Sequence, residues 1–483
     1  MKIALFNPPS PFLLDDLVFP PLGVLQVAAA LENAGHDVCV TDLGGKSNYK
    51  EATRDVAKLK FDAYGITTTT PQFPMAIDIY NAIREEDPGK KIIVGGPHPT
   101  VMPSSCSMFD VIVLGDGEDA VLEALQTDAP KLIDRASTVV KGTLKYILPA
   151  RHLIDLNAYK YTLYGIKGTS VLTEAGCPFN CSFCCGRSTN FYRRVRTRNP
   201  DEFVEELVHL RERYGIGAAM DFSDEINLLT EPLLTLCKKI KPLKMKFRAF
   251  VKANIFDDRQ AEAMAEAGFV ELNTGVESGD DRILGVIDKK TTRVINKNFV
   301  DLCKKYGMRS KAFMSLSQAG ETYESAMNSQ EWLLWAKPDD FDITIVSVYP
   351  ATPYWDNREA VGINEQGQRI CRYKKKSKIA QEDGATLFFE EVDYTKEFAW
   401  YKGRPGEYIS HTWTPDLSKG DLTKLRDSIE DRVRKELGIP YPKRYSGYFL
   451  HEGNMLTGSS MYDSSMGMGM SPQDARRSAK TDV

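Results

Sequence analysis

The 483-residue sequence has no apolar run near the roughly 18 residues that a membrane-spanning helix needs. A membrane span is therefore not expected. Basic and acidic residues nearly balance, 62 against 66, for a net charge of -4, so the positive face of a nucleic-acid binder is missing. Nucleic acid is not an expected partner. A secretory leader is not expected either, because the apolar run Met1-Lys2-Ile3-Ala4-Leu5-Phe6 is short and passes straight into Asn7-Pro8-Pro9. This start is expected of a mature cytoplasmic protein. His36, His152, His209, His411 and His451 share no spacing that marks a metal site. The nine cysteines are odd in number, and four crowd into positions 177–185, unlike the spread of a disulfide framework. A reducing compartment and a metal site are the better expectation.

The length suits two or three domains. Apolar runs at 2–6, 37–41, 63–67, 92–94 and 111–114 read as buried strands, and 22–33, 76–86 and 119–125 carry helical spacing. This alternation predicts an α/β fold over 1–130, a doubly wound parallel sheet with helices on both faces and ligands at the strand carboxyl ends. Four such ends carry polar or glycine-rich loops: Asp42-Leu43-Gly44-Gly45, Thr67-Thr68-Thr69-Thr70, Gly95-Gly96-Pro97-His98 and Gly115-Asp116-Gly117-Glu118. Glycine lets a backbone approach a bulky ligand closely. Gly44, Thr68, Gly95, Gly96, His98, Gly115, Gly117 and Glu118 are the candidate contacts, although each loop alone also reads as a tight turn. No G-x-G-x-x-G opens a helix here, so a dinucleotide is not indicated.

Residues 131–165 read as a linker, after which six strand-helix units begin. Strands are predicted at 169–173, 218–222, 246–251, 269–274, 310–315 and 342–348, with helices at 201–214, 232–239, 258–267, 294–306 and 323–335 between them. A partial parallel barrel over 166–355 follows, with its functional groups at the strand carboxyl ends. Residues 356–450 are mixed and aromatic-rich, with one amphipathic helix at 422–437, and read as a small cap. The Gly- and Met-rich tail, 451–483, reads as disordered; its Met461, Met466, Met468 and Met470 are a weak candidate for soft-metal or partner binding.

Directly after the first barrel strand comes Cys177-Pro178-Phe179-Asn180-Cys181-Ser182-Phe183-Cys184. Three thiolates within eight residues can wrap one 4Fe-4S cubane and leave its fourth iron open to a ligand. Structural zinc is the alternative, but such sites usually close with a second ligand pair, and none follows. Cys185 could be argued as a fourth ligand, yet adjacent residues rarely reach one cluster together without strain. Cys39, Cys106, Cys237, Cys303 and Cys371 are isolated and read as small buried hydrophobes.

The C-x3-C-x2-C loop, with an aromatic residue before its last cysteine, resembles the signature of the radical S-adenosylmethionine (SAM) superfamily. Later segments agree: Asp221-Phe222-Ser223-Asp224-Glu225 resembles its second-strand acidic motif, Arg248 falls on the third strand, and Gly275-Val276-Glu277-Ser278-Gly279 resembles its fourth-strand motif. Asn7-Pro8-Pro9, Pro20-Pro21-Leu22-Gly23, Gly95-Gly96-Pro97-His98 and Gly115-Asp116-Gly117-Glu118 resemble the cobalamin-binding domain fused to many such enzymes. The likeness covers about residues 1–355. Two departures stand out. No D-x-H-x-x-G occurs, and Ser315-Leu316-Ser317-Gln318-Ala319-Gly320-Glu321-Thr322 lacks the proline usual in its loop.

The resemblance implies a 4Fe-4S cluster on Cys177, Cys181 and Cys184, SAM at the open iron, and cobalamin held without a histidine from the missing motif. Phe183 would lie near the SAM adenine, and Asp224, Arg248, Glu277 and Ser278 would contact its polar groups. The implied partners are a small-molecule substrate and an external one-electron reductant such as flavodoxin or ferredoxin. The implied activity is methylation of an unactivated carbon or phosphorus centre by way of a 5'-deoxyadenosyl radical. A cobalamin-dependent oxidative cyclase or rearrangement enzyme is the alternative, and a non-catalytic cobalamin-binding scaffold is the reading from another class.

Overall fold

The computed structural model describes residues 1–10, 16–376, 382–401, 403 and 408–440, without the Arg187 side chain. The expected disordered tail, 451–483, lies outside the described residues, as do 441–450 of the expected cap.

Alternating apolar residues build the first sheet. Its strands are β1 (Lys2–Asn7), β2 (Asp37–Asp42), β3 (Ala63–Thr67), β4 (Lys91–Gly95), β5 (Val111–Leu114) and β6 (Leu132–Asp134). They pair in parallel in the order β2-β1-β3-β4-β5-β6. Within β1, Ile3 and Leu5 pack against Val24, Leu25, Ala28 and Leu31 of the helix Leu22–Asn33 on one face. Ala4 and Phe6 share the opposite face with Ile79 and Ile83 of the helix Phe73–Glu86. Burial on both faces explains why these strands read as continuous apolar runs. The chain leaves β1 for β2 and returns to β3 on the other side, so a crevice is expected at the carboxyl ends of β1 and β3.

Three elements of this half escaped the sequence reading: the helix Tyr49–Ala57, amphipathic but polar overall, and the short helix Pro97–Val101 and strand β6, each too brief to show a period. The strand lies in the stretch expected as a linker, and it joins the first sheet. Farther along the same stretch, Tyr161 and Leu163 bury themselves with Val18, Ala218 and Met220. Residues 131–165 are therefore built into both halves of the molecule.

The second sheet has six parallel strands in chain order: β7 (Ile166–Val171), β8 (Ala218–Asp221), β9 (Lys246–Phe250), β10 (Phe269–Glu277), β11 (Arg309–Leu316) and β12 (Asp340–Ile345). Each of the first five leads to a helix on the outside, as a partial (β/α) barrel requires, and the sixth leads to the short helix Pro353–Asp356 at the rim. Helix boundaries follow local chemistry: Asn199 caps the helix Pro200–Tyr214 at its start, and Gly215 ends it at φ 66°. Leu422, Leu425, Ile429 and Val433 of the helix Lys419–Leu437 join the barrel's main core. That helix, expected in the cap, is an outer element of the barrel; its amphipathic pattern shows that it buries a face but not against what. The rest of the C-terminal part is a four-stranded antiparallel sheet, Arg358–Ile363, Arg369–Lys374, Thr386–Glu390 and Thr412–Trp413. It packs Cys371, Tyr373, Leu387 and Phe389 against Ile283, Ile287, Val348 and Tyr354 at the barrel rim.

Candidate active site

After β7 the backbone turns into the cysteine loop, which is tied down at both ends. Gly176 N donates to Asp224 Oδ2 at 2.7 Å, and Cys177 N donates to the Tyr192 carbonyl at 2.8 Å. Gly176 has φ +91°, and a Cβ there would stand 2.3 Å from the Arg194 carbonyl oxygen, so only glycine fits this entry. Farther on, Ser182 N donates to the Ile287 carbonyl at 2.9 Å, and Tyr354 N donates to the Ser182 carbonyl at 3.2 Å. The loop is thereby stitched to the barrel rim. Cys181 is buried, Cys177 is half-buried and Cys184 is exposed.

The donor set suits a cubane. Burial pushes the Cys177 thiol up to about 12, and it raises Cys181 as well. The Cys184 thiol is raised chiefly by the hydrogen bond it donates to Cys185. Such thiols need a cation to become thiolates, which iron would supply. Among the described residues no three His, Cys, Asp or Glu side chains converge on a single ion; in a cubane each thiolate takes a separate iron.

Buried charges surround this loop. Lys289 Nζ lies 3.0 Å from Glu277 Oε1, and Lys252 Nζ stands 4.6 Å from the Phe179 ring of the loop. Burial and the neighbouring Lys289 lower the Lys252 ammonium, while Cys181, Glu225 and Cys177 oppose that shift. For Lys289, burial is outweighed by Glu277, Cys181 and Glu225, and the ammonium is held up. Glu225 has a buried Oε2 without a hydrogen-bond partner, and burial pushes its carboxyl up to about 7. Glu277 ends β10 at φ 66°, a left-handed conformation that non-glycine residues rarely adopt. A polar ligand with both charge signs suits such a setting.

Of the residues expected to contact SAM, Asp224 and Glu277 stand at this end of the barrel. Phe183 packs beside Tyr354 and Ile287, with Lys289 Nζ 5.9 Å from its ring. Arg248 is not brought here: it is fully buried, and its Nε lies 2.8 Å from Glu271 near the start of β10. Four residues on, past the end of β9, Lys252 is the cation that stands beside the cysteine loop. Ser278 is also turned aside; its hydroxyl lies 3.4 Å from that of Ser329 and accepts from Asp280 N. Sequence reasoning missed Lys252 and Lys289 as site residues and left Glu225 as an unassigned member of the acidic motif.

At the carboxyl end of the first sheet lies a cavity lined mainly by glycines and apolar side chains. Gly95, Gly96, Gly115, Gly117 and Glu118 line it as expected. Gly96 (φ +104°) and Gly115 (φ +84°) need glycine doubly, since a Cβ would stand 2.9 Å from Thr67 Oγ1 and 2.7 Å from Ala136 N respectively. Gly44, Thr68 and His98 do not line the cavity. Gly44 faces Leu17 and Asp42, and Thr68 is buried with its hydroxyl donating to the Thr69 carbonyl. His98 is fully buried, with Nδ1 3.2 Å from Thr70 Oγ1, Nε2 2.8 Å from Ser105 Oγ, and its ring 4.0 Å from that of Phe73. Both ring nitrogens are engaged, so the imidazole is structural. Burial pushes it down to about 3 and keeps it neutral.

The far wall of this cavity belongs to the barrel: Leu172, Ala175, Phe191, Tyr192 and Arg196. Arg196 crosses back to pair with Asp116 at 2.5 Å. Tyr192 thus lines the cavity while its carbonyl holds Cys177. A wide cradle of glycines at the sheet end suits a corrin, and no described histidine lines it.

Comparison with known families gives these two sites their context. The B12 binding domain matches residues 16–125, and the radical SAM superfamily matches residues 172–333. An uncharacterized methyltransferase of Pyrococcus horikoshii is 27% identical over 386 residues, covering 74% of this chain and 83% of its own. An anaerobic magnesium-protoporphyrin IX monomethyl ester cyclase of Cereibacter sphaeroides is 23% identical, over 69% of this chain and 60% of its own. Among solved structures, the radical SAM methyltransferase TsrM of Kitasatospora setae, with tryptophan and a SAM analogue bound, superposes with a TM-score of 0.70. The match spans 100% of this chain and 98% of the other at 16% identity, and it shows a shared fold.

Proposed function

We propose that this chain, a radical SAM protein with a B12-binding domain, is a cobalamin-dependent methyltransferase acting on an unactivated carbon or phosphorus centre of a small molecule. Its partner in turnover would be an external one-electron reductant. The observation that carries the reading is the wall shared by the two sites: Tyr192 lines the glycine cavity and accepts the Cys177 amide. A substrate between the two sites would meet both cofactors at once.

Bound there, the cluster and SAM supply hydrogen abstraction and the corrin supplies methyl transfer. The chain's own residues do simpler work. Cys177, Cys181 and Cys184 hold iron; Asp224 fixes the loop entry through Gly176; Lys252 and Lys289 offset the negative charge of thiolate at Cys181. Glu225, Glu277 and Lys252 offer buried groups of both signs to the amino acid end of SAM. The glycine cradle admits the corrin and excludes bulk water from the space between.

The test is oxygen-free reconstitution with iron, sulfide and hydroxocobalamin, followed by SAM and a chemical reductant. About four irons and one corrin per chain are expected, with release of both S-adenosylhomocysteine and 5'-deoxyadenosine. 5'-Deoxyadenosine alone would move the reading to cyclase chemistry, as in the Cereibacter relative's name, and absence of SAM cleavage would reduce the chain to a scaffold.

A further inference from the structure

A second chamber opens beside the glycine cavity, between the start of the helix Leu22–Asn33 and the carboxyl ends of β7 and β8. Its volume is about 380 Å³, near the lower end for small-molecule sites. Gly23, Gln26 and Leu172 line both spaces, so the two communicate. Leu172 stands five positions before Cys177, and Phe222, also on the chamber wall, stands two positions before Asp224, which anchors the cysteine loop. The chamber therefore adjoins the glycine cavity, and its barrel wall comes from the segments that lead into the cysteine loop and its anchor.

Its surface is specific. Phe19 and Phe222 meet edge to face with ring centres 4.9 Å apart, and Phe222 remains 40% exposed although its neighbours are buried. Large exposed aromatic rings in a concave wall are costly unless something covers them. Two polar side chains complete it. Ser170 is fully buried, and its hydroxyl has no hydrogen-bond partner. Gln26 is 8% exposed and stands at the junction of the two spaces. A buried hydroxyl left unpaired is destabilising, and a ligand hydrogen bond would relieve it. Among the described residues the wall carries no Lys, Arg or His.

We propose that this chamber is the substrate site, and that it takes a compact, arene-bearing small molecule, neutral or cationic, and rejects phosphate-bearing and other polyanionic ones. The proposal rests on the methyltransferase reading for the chemistry but not for the binding. The arene stacks against Phe19 and Phe222, and a polar group of the substrate bonds Gln26 and Ser170. A wall whose described residues include no Lys, Arg or His would leave the charge of a bound polyanion uncompensated.

Equilibrium dialysis of the cobalamin- and cluster-loaded protein against 1-naphthol, 1-naphthylmethylamine and 1-naphthyl phosphate tests this. The first two should bind at least about tenfold more tightly than the phosphate, since one unpaired buried charge costs more than that factor. Phe222→Ala should weaken 1-naphthol about tenfold through lost aromatic burial, and Phe222→Leu should restore part of it, with iron and corrin contents unchanged in both. Equal binding of the three probes, tighter binding of the phosphate, no binding of any, or indifference to Phe222→Ala overturns the proposal. The methyltransferase reading is judged separately by S-adenosylhomocysteine release, which needs no probe.

Discussion

At the end of the first sheet, space is made by leaving side chains out. Gly95, Gly96, Gly115 and Gly117 line a cavity whose aromatic side chains, Tyr146, Phe191 and Tyr192, come from later in the chain. At the mouth of the barrel the opposite holds: Lys252, Lys289, Glu225 and Glu277 are crowded around three cysteines with little exposure to water. The first arrangement suits a large, preformed ligand whose reactivity is its own, so the protein needs shape. The second suits small charged ligands and a metal cluster, so the protein needs charge held in place, and buried charge is stable only when paired. Glycine is tolerant of its neighbours where the backbone permits, whereas each buried charge depends on another; the two sites should therefore fail differently.

The sharpest break is Cys181→Ala. It should abolish the cluster's absorbance and all SAM cleavage while corrin content stays at one per chain, read from spectra of the reconstituted protein. Loss of corrin as well would show that the two sites are not separable. The converse change is Gly95→Leu, whose side chain would enter the cavity past Val113, 3.7 Å from the position of a Cβ. Corrin affinity should fall by a hundredfold or more on the scale of overpacked sites, about 3 kcal/mol, with iron content intact. Lys289→Met leaves Glu277 without its partner at 8% and 13% side-chain exposure. A loss of about 3 kcal/mol in stability is expected, seen in denaturant melts of the apoprotein; no equivalent single change among the cavity glycines should act through charge.

The smallest effect concerns His98. Its folded value of about 3 lies below the ordinary 6.5 because of burial. Below pH 6.5 the unfolded chain gains a proton that the folded chain refuses, so stability present above pH 6.5 is lost as pH falls toward 3. About 2 kcal/mol should be gone by pH 5. His98→Gln should flatten the fall in the apoprotein's melting midpoint between pH 6.5 and 5; an unchanged slope would mean that the imidazole titrates normally and faces the cavity after all.

Several of these residues show where reading along the chain succeeds and where it stops. The strand Ala63–Thr67 and the helices Leu22–Asn33 and Asp258–Ala267 appear with the ends that periodicity predicts. Their patterns are local, set by faces that are buried along their whole length. The three cysteines were legible for the same reason, since eight residues contain the whole donor set. Arg248 lies on the expected strand and His98 just past the end of the expected strand, but in other surroundings: His98 is sealed by Thr70, Ser105 and Phe73, and Arg248 is drawn to Glu271. Lys289 could not be found at all, because nothing in its neighbourhood marks a loop lysine that will fold back onto Glu277, twelve residues earlier.

The sequence by itself determined the alternation of strand and helix, the two successive parallel sheets, the cysteine loop and the glycines that open the first sheet's end. Each depends on residues near one another in the chain and on the periods of burial. Tertiary structure alone decided that the helix Lys419–Leu437 closes the barrel core, that Lys252 rather than Arg248 reaches the loop, and that one tyrosine serves both sites. Those outcomes depend on which distant surfaces meet, and a buried charge or an exposed ring acquires its meaning only from the partner that packing places beside it.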